Sequence, residues 1–469
     1  MSKKILVGPN YEEMLHPWKI DKNIRERAKE MKTKDPLHPI NLYNITWRDF
    51  ENKIYHFVLT KEITGVDANI VVLYAKEFPS GSHKVGPTYS CLVEKAVTGE
   101  VDPEKHILVW PSTGNYGIGG AFVGNRMNYK SIVILPEEMS QERFDLIRKY
   151  GSEVIATPGC ESNVKEIYDK THELKANDPE RIKILNQFNE FGNYRFHYHV
   201  TGGSMIEAVK ENSIGNSQIA GVVLGVGSSG TIASGDRIKK DFPNAKVFAL
   251  EPIQCPTIAL NGYGGHDIQG IGDKHVTWIH NVMNMDGVVL VDDMDSKKMM
   301  QLFFDETGKE YLKKFADNDL IDFISDKLGI SGVANIIGAI KMAKHYDMKA
   351  GENIVVVATD SISRYYSVLD QLDKEFGKLD LNESKLRHER IFLKQEPSYI
   401  YEGTKENKER WHNLKYFTWI EQQGKTIEEL NAQKNQEYWE KQAEKAFEYN
   451  EIIKKYREDH KEILDDIFK

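Results

Sequence analysis

Short apolar runs alternate with helix-prone stretches between about residues 67 and 370. Most of the runs are rich in β-branched residues, and each lies close to a Gly, Pro, Asn or Asp residue, which is the pattern of buried strands bounded by turns. The runs are residues 70–75, 107–110, 132–135, 222–224, 247–250 and 354–358. Helix-prone stretches, among them residues 141–150 and 204–211, lie between several of them. This alternation predicts βαβ units and a parallel sheet covered by helices.

Residues 371–469 have a different composition, dense in Lys, Glu, Asn and Gln. Thr426 and Glu429 have the spacing of a capping box at the start of a helix. Neither Gly nor Pro interrupts residues 435–468, where apolar side chains recur at three- or four-residue steps. These side chains are Trp439, Ala443, Ala446, Tyr449, Ile453 and Tyr456. The stripe predicts a helix packed on the core or on a second subunit, and the alternative is a docking helix for a different protein.

The chain has 469 residues, of which 40% are hydrophobic, and this is sufficient for a large two-domain core. The net charge of −9 does not suggest a nucleic-acid partner, which normally requires a basic excess. The odd count and wide spacing of Cys91, Cys160 and Cys255 argue against a disulfide framework and a structural zinc site. The N-terminus lacks a signal-peptide pattern, and no run approaches ~18 apolar residues. We expect a cytoplasmic enzyme for a small molecule, with neither metal nor membrane.

The segment of residues 219–230 is an apolar run followed by the pattern Gly225-x-Gly227-x-x-Gly230. With a second run that ends at Glu251, it is close to the fingerprint of a dinucleotide-binding βαβ unit. The physical basis is less specific, because glycines after a strand let exposed N–H groups and the positive end of a helix bind any phosphate group. On this segment alone, a dinucleotide site, another phosphate site and a tight turn without a ligand all stay open.

A second connection from strand to helix ends in a lysine. The apolar run of residues 70–75 leads into a turn of small residues, 80–82, and then to His83 and Lys84. Turn and cap residues at this point place Lys84 near a helix start. The positive helix end and burial both disfavour the ammonium form of a lysine there, and the neutral amine is the form that makes an imine. The alternative is a solvated surface lysine.

Two further strand ends carry polar side chains. The run of residues 107–110 leads to Ser-Thr-Gly-Asn-Tyr-Gly at 112–117, whose hydroxyls and N–H groups at a helix start can bind a carboxylate. Within it, the Asn115 amide can donate to a phenolate-like oxygen. The run of residues 354–358 leads to Thr359, Asp360 and Ser361. A hydroxyl there would leave a pyridine nitrogen unprotonated, whereas a carboxylate would favour its protonation.

Taken in this order, the segments resemble the fold-type II pyridoxal-phosphate enzymes, the family of cysteine synthase, cystathionine β-synthase and tryptophan synthase β. The resemblance covers about residues 67–370 and disfavours the dinucleotide interpretation of the Gly-rich segment. It implies an α/β fold of two domains with parallel-rich twisted sheets flanked by helices, like tryptophan synthase β, followed here by an α-helical C-terminal extension. The implied units are residues 1–88 (N-terminal extension and part of the large domain), 89–194 (small, mobile domain), 195–370 (large domain that binds pyridoxal phosphate) and 371–469 (extension).

The resemblance also implies residue roles. Lys84 would hold pyridoxal 5'-phosphate as an imine and act as the catalytic base. The other residues implied to bind the cofactor are Asn115 at the ring oxygen, Gly227, Ser228, Ser229, Gly230 and Thr231 at the phosphate, and Ser361 at the ring nitrogen. The residues implied to bind the substrate carboxylate are Ser112, Thr113, Gly114, Tyr116 and Gln187. Residues 268–272 resemble a segment near the active-site entrance of the family.

Some residues depart from the family pattern and leave the substrate open. Residues 85–87, Val-Gly-Pro, follow the lysine where cysteine synthases usually have Asp-Arg. Tyr116 replaces a small Thr, and Ser229 stands where Gly is usual. His83 stands where cysteine synthases have an apolar residue, and it is either a packing residue or a proton shuttle.

The implied activity is that of a lyase or transferase, like cysteine synthase or a desulfhydrase. It would eliminate or replace the β-substituent of a small amino acid of the cysteine, O-acetylserine or serine type through an aminoacrylate intermediate. One alternative keeps the cofactor and is a serine/threonine dehydratase or a threonine-synthase-like enzyme. The other alternative is a regulatory or scaffold subunit that binds pyridoxal phosphate. We expect a homodimer.

Overall fold

The structure is a computed structural model, and it describes residues 5–112, 114–159 and 163–468, with side chains as far as residue 464. Eleven strands in this part of the chain form two sheets. They are β1 (His56–Leu59), β2 (Asn69–Tyr74), β3 (Ile107–Pro111), β4 (Lys130–Pro136), β5 (Glu153–Thr157), β6 (Ile182–Ile184), β7 (Ile219–Gly225), β8 (Lys246–Pro252), β9 (Gly287–Val291), β10 (Asn353–Ala358) and β11 (Ile400–Glu402). Each of the six apolar runs predicted as strands overlaps one of them, so these predictions are confirmed.

The larger sheet has seven strands in the order β1-β2-β10-β7-β8-β9-β11, and the smaller has four in the order β5-β4-β3-β6. All pairs are parallel except the two at the edges of the larger sheet, β1 with β2 and β9 with β11. Strands β9 and β10 are buried along their whole length, because helices cover both faces of a parallel sheet. The predicted α/β class with two parallel-rich sheets is confirmed. The smaller sheet lies within residues 107–184, and the domain boundaries stay a prediction.

Twenty-one α-helices in the described residues surround the sheets. They are α1 (Tyr11–Leu15), α2 (Lys22–Lys34), α3 (Lys61–Thr64), α4 (Val85–Val97), α5 (Asn115–Arg126), α6 (Gln141–Lys149), α7 (Val164–Asn177), α8 (Phe191–Arg195), α9 (Gly202–Glu211), α10 (Ala233–Asp241), α11 (Thr257–Leu260), α12 (Asp293–Phe304), α13 (Glu306–Leu312), α14 (Asn318–Ile324), α15 (Ile330–His345), α16 (Tyr366–Phe376), α17 (Leu381–Arg387), α18 (Lys405–Asn413), α19 (Ile427–Ala432), α20 (Gln436–Asp459) and α21 (Lys461–Phe468). Short 3-10 and π-helical turns join several of them. None of the described helices has the length and apolar character that crossing a bilayer requires.

The C-terminal helix packs on the body of its own chain. Of the predicted stripe on α20, the side chains of Trp439, Ala443, Ala446 and Ile453 are buried. Asn450 on the same helix accepts a hydrogen bond from the Tyr11 backbone at 2.9 Å. The interpretation as a helix packed on the core is therefore favoured over a docking helix for another protein.

The prediction of an α-helical C-terminal extension is confirmed, and the extension also contains one short strand. Strand β11 lies within this extension and pairs with β9, so the extension also widens the larger sheet. Thr426 caps α19 as predicted, with its hydroxyl accepting from the Glu429 backbone N–H at 3.1 Å. The uninterrupted stretch of residues 435–468 forms two helices, because the helical conformation ends at His460 between α20 and α21.

Four connections that carry predicted site residues meet in one cleft. They follow β2, β3, β7 and β10, at the carboxyl ends of these parallel strands. This is the edge at which open α/β sheets place their ligands, because loops and helix starts converge there. Cys91 and Cys255 are buried free thiols that do not line this cleft, and Cys160 lies outside the described residues.

Candidate active site

The cleft brings together all the predicted site residues except Thr113, which lies outside the described residues, and Ser361. The residues that line it are His83, Lys84, Ser112, Gly114, Asn115, Tyr116, Gln187, Gly225, Gly227, Ser228, Ser229, Gly230, Thr231, Gly270, Ile271 and Thr359. These residues come from widely separated parts of the sequence. Their convergence favours a ligand-binding site, because each segment alone could equally have been a turn without a ligand.

Lys84 is the N-cap residue of α4, so the predicted position at a helix start is confirmed. Its side-chain nitrogen, Nζ, donates to Ser228 Oγ at 2.7 Å and to Gln187 Oε1 at 3.4 Å. The lysine therefore links the Gly-rich loop after β7 with the residue predicted to face the substrate carboxylate. It is half-buried rather than a solvated surface lysine.

The loop after β3 is shaped to receive an anion. Ser112 Oγ accepts from the backbone N–H of Gly114 at 2.9 Å and of Gly117 at 2.8 Å, which holds the turn at the start of α5. Among the described residues, neither the Asn115 nor the Tyr116 backbone N–H has an acceptor. Both groups lie in the first turn of α5 and are available to bind a ligand. Gly114 has a φ of 150°, and a Cβ there would lie 2.9 Å from Arg143 Nε. These features suit a carboxylate, as predicted for this segment.

The loop of residues 227–231, which we call the phosphate cradle, is a second potential binding site for an anion. Within the described chain, none of its five backbone N–H groups donates a hydrogen bond, and the loop leads directly into the start of α10. Ser229 has a φ of 57°, which is the left-handed conformation that the usual Gly adopts more easily. A Cβ at Gly230 would lie 2.0 Å from Asn193 Oδ1, so a side chain there is excluded. The free N–H groups fit the phosphate of a pyridoxal cofactor.

Ser228 is the best-anchored residue of this loop. Its hydroxyl oxygen accepts from Lys84 Nζ and from Asn193 Nδ2, the latter at 3.2 Å. Its backbone carbonyl accepts from Thr277 Oγ1 at 3.1 Å. Asn193 also donates to the Gln187 carbonyl at 2.9 Å, so the same amide supports both walls of the cleft.

His83 is buried next to Thr231 of the 227–231 loop. Its Nδ1 lies 3.2 Å from the Thr359 carbonyl, and its Nε2 lies 3.3 Å from Thr231 Oγ1. Burial, with a smaller effect from the charge of Lys84, lowers the pKa of His83 to about 3. A neutral imidazole can donate through Nδ1–H to the carbonyl and accept at Nε2 from the Thr231 hydroxyl. The structure therefore favours a packing and positioning residue over a proton shuttle.

Asn115 takes part in a buried hydrogen-bond network with residues that follow β10. Its Nδ2 donates to Asp360 Oδ2 at 2.6 Å, and the Tyr365 hydroxyl donates to the same oxygen at 2.8 Å. Arg143 Nη2 lies 3.9 Å from this carboxylate, and Arg143 also donates to Gln269. The amide nitrogen of Asn115 has a second hydrogen, so its bond to a cofactor ring oxygen stays a prediction.

The strand end after β10 differs from the expectation. Ser361 Oγ lies 2.9 Å from Ser363 Oγ, and Ser361 is not part of the cleft wall described above. Thr359, two residues earlier, lines the cleft instead, with its hydroxyl 2.6 Å from Ser331 Oγ. The contact of Ser361 with the ring nitrogen therefore stays a prediction.

Asp273 lies beside the Gly-rich loop of residues 227–231 and was not predicted from the sequence. It is 5% exposed, and neither carboxylate oxygen has a hydrogen-bond partner among the described residues. Its Oδ2 lies 3.4 Å from the position of a Cβ on Gly227 in the phosphate cradle. Burial raises the pKa of Asp273 to about 7, although the charge of Lys84 acts in the opposite direction. The sequence feature that could have indicated Asp273 is its position directly after the predicted entrance segment, residues 268–272.

Comparison with known proteins shows the family. A family model described as "Pyridoxal-phosphate dependent enzyme" matches residues 64–309, more than half of the chain. The chain belongs to this family. A cysteine synthase of Staphylococcus aureus (strain N315) is 30% identical over 306 residues, which cover 64% of this chain and 90% of the relative. Cysteine synthase 3 of Caenorhabditis elegans is 29% identical over 312 residues, covering 66% of this chain and 85% of the relative.

Solved structures of similar fold support the assignment to this family. A hydrogen sulfide-producing enzyme from Fusobacterium nucleatum has a TM-score of 0.56 and 27% identity, over 66% of this chain and 94% of that chain. O-acetyl serine sulfhydrylase isoform 3 from Entamoeba histolytica has a TM-score of 0.59 over 72% of this chain and 93% of that chain, and at 23% identity it shows the fold alone. The predictions of a fold-type II enzyme and of pyridoxal 5'-phosphate as its cofactor are confirmed.

Proposed function

We propose that this enzyme eliminates or replaces the β-substituent of a small amino acid such as cysteine, O-acetylserine or serine. The observation that carries the proposal is the position of Lys84 Nζ, in contact with Ser228 on the phosphate cradle and with Gln187 beside the carboxylate cradle. A lysine between these two cradles can reach the α-carbon of an amino acid held by its carboxylate. The names of the cysteine synthases and of the hydrogen sulfide-producing enzyme support the same chemistry.

In the proposed assignment, Gly227, Ser228, Ser229, Gly230 and Thr231 hold the cofactor phosphate, and Asn115 and Ser361 face its ring. Lys84 makes the covalent link to the cofactor. When bound, pyridoxal phosphate supplies an electron sink for charge that develops on the substrate α-carbon.

The remaining steps belong to the chain's own residues. The free N–H groups of Asn115 and Tyr116, with Ser112, Thr113, Gly114 and Gln187, orient the substrate carboxylate and thereby direct the α-hydrogen toward Lys84. The Lys84 amine takes this proton as a general base and can return it as a general acid. Because both cradles are buried, water is kept away from the substrate α-carbon until the leaving group departs.

We further propose that the enzyme is a cytoplasmic homodimer, as the resemblance to the family implies. Sedimentation velocity of the purified chain tests the oligomeric state. A species with the mass of a single chain at micromolar concentration contradicts the dimer.

A substrate panel tests the activity. Cysteine, O-acetylserine, serine and threonine are each supplied with and without sulfide or homocysteine, and thioethers, cysteine, keto acids and ammonia are quantified. We expect turnover of a cysteine- or serine-type substrate, whereas turnover of threonine alone supports the dehydratase alternative. Retained turnover by the purified chain excludes a purely regulatory subunit.

Lys84→Ala tests the central residue. We expect loss of the cofactor's covalent absorbance near ~410–420 nm and of turnover, because no other lysine lines the described cleft. Lys76→Ala is the matched control, since Lys76 lies on the same connection between β2 and α4 and pairs with Asp326 outside the cleft. Wild-type absorbance and turnover in Lys84→Ala contradict the proposal.

A further inference from the structure

The C-terminal extension lies outside the segment that the family model matches, yet it contacts a segment next to the active site. Three fully buried side chains of the extension, Lys415, Trp419 and Gln433, converge on residues 276–280. We call these three residues the clamp. They come from different parts of the extension, between α18 and α20, so their convergence depends on its tertiary structure.

The clamp satisfies alternate backbone carbonyls of residues 276–280. Trp419 Nε1 donates to the Val276 carbonyl at 2.8 Å. Lys415 Nζ donates to the carbonyls of Trp278 at 3.2 Å and His280 at 2.6 Å. Gln433 Nε2 donates to the Trp278 carbonyl at 3.1 Å, and its Oε1 accepts from Lys415 at 2.7 Å. Buried carbonyls need such partners, so the extension determines where this segment lies.

The same segment reaches the phosphate cradle from its other side. Thr277 lies between the clamped carbonyls, and its hydroxyl donates to the Ser228 carbonyl at 3.1 Å. Ser228 is the residue whose side chain accepts from Lys84. Hydrogen bonds joined by short stretches of backbone therefore connect the clamp, through residues 276–280, with the cradle and the reactive lysine.

A second connection acts on the helix that follows the cradle. Asn281 Nδ2 donates to Gln436 Oε1 of α20 at 3.1 Å and to Asp236 Oδ2 of α10 at 3.0 Å. Helix α10 begins directly after the cradle. The extension therefore also stabilises the helix start that would face the cofactor phosphate.

We propose that the C-terminal extension positions the phosphate cradle of this enzyme, with Lys415, Trp419 and Gln433 acting through Thr277 on Ser228. This proposal rests on the proposed function, in which residues 227–231 bind the cofactor phosphate. The clamp residues are positioning residues, since they touch neither the cradle nor the reacting atoms.

Trp419→Phe tests the clamp because it removes the indole N–H, together with the second ring of the indole, and keeps one aromatic ring in place. Trp411→Phe is the matched control for the loss of ring volume, since Trp411 is also buried on the extension and its indole N–H has no hydrogen-bond partner among the described residues. Dissociation constants of the cofactor-free variants are measured for pyridoxal phosphate and for pyridoxal, which lacks the phosphate.

We expect Trp419→Phe to weaken binding of pyridoxal phosphate about tenfold, the effect of leaving one buried carbonyl unpaired and the cradle less fixed. Binding of pyridoxal by Trp419→Phe should change less than twofold, a margin set well below the tenfold step of about 1.4 kcal/mol. Trp411→Phe should leave both constants unchanged. Equal weakening of both ligands in Trp419→Phe, or equal effects of the two Trp variants, overturns the proposal.

Two further variants keep the test decisive. Thr277→Val removes the hydroxyl that reaches Ser228 without touching the extension, and if Trp419→Phe does not fold it must show the same selective loss for the proposal to stand. Gly230→Ala tests the cradle itself, because its Cβ would lie 2.0 Å from Asn193. Unchanged phosphate-dependent binding in Gly230→Ala contradicts the proposed cofactor site. Loss in Gly230→Ala without loss in Trp419→Phe and Thr277→Val contradicts only the role of the extension.

Discussion

Asp273→Asn should make the stability of the cofactor-free protein less dependent on pH. Burial raises the pKa of the Asp273 carboxyl from 3.8 to about 7, so the folded state holds its proton more tightly than the unfolded chain does. A carboxyl of this kind contributes stability that is fully present below pH 3.8 and is lost as pH rises through about 7. Asn has a neutral side chain at every pH and lacks this loss.

The size of the effect follows from the two pKa values. At 1.36 kcal/mol per pKa unit, the difference between 3.8 and about 7 corresponds to about 4 kcal/mol of unfolding free energy. Asp273→Asn should therefore be more stable than the wild type by about 4 kcal/mol at pH 8.5 and by less than about 2 kcal/mol at pH 5. The gain arises because a buried carboxylate without a hydrogen-bond partner among the described residues is replaced by a neutral amide.

Guanidinium unfolding followed by tryptophan fluorescence, at four pH values between 5 and 8.5, measures the difference between variant and wild type. Asp145→Asn is the control, because Asp145 is a solvent-exposed carboxylate at 63% side-chain exposure. A variant-minus-wild-type difference that stays constant across this pH range would refute the reasoning. It would mean that the Asp273 carboxyl is solvated in the folded protein.

Three further predictions concern other parts of the molecule. Gly86→Ala should destabilise the protein by about 1–3 kcal/mol in thermal or denaturant unfolding, because the new Cβ would lie 2.0 Å from the Phe196 ring, and wild-type stability contradicts this. Arg195→Met should cost about 3–5 kcal/mol, since it leaves buried Glu94 without the bidentate partner now at 2.6 and 2.5 Å, and adding Glu94→Gln should recover part of the loss in the same assay. The wild type and His83→Gln should show the same pH dependence of cofactor affinity between about pH 5.5 and 7.5, because the pKa of His83 is about 3 and its imidazole stays neutral there; a step that His83→Gln abolishes contradicts this assignment.

Local patterns were sufficient for six of the eleven described strands and for several residues at the ends of elements. The apolar run before Lys84 forms β2, and the small residues after it place the lysine at the start of α4. Thr426 caps α19, and the stripe from Trp439 to Ile453 is buried on α20. Periodicity, turn residues and helix caps act over a few residues of chain, so they can be recognised in the sequence without knowledge of the packing.

The partners of these residues were beyond the reach of such patterns. Arg143 and Asp360 are 217 positions apart, and Trp419 lies 143 positions from the Val276 carbonyl that it binds. Nothing local distinguishes Asp273 from a solvated acid, because its environment is made by Gly227 and Lys84 from other segments.

The sequence by itself therefore determined six of the eleven described strands, several helix starts and the chemical groups offered to the cofactor and the substrate. The tertiary structure alone decided which of these groups meet, which carboxyl is buried and how the C-terminal extension reaches the phosphate cradle. The physical reason is that a hydrogen bond between distant residues depends on how whole elements pack, and packing is set by many contacts across the chain rather than by any short stretch of it.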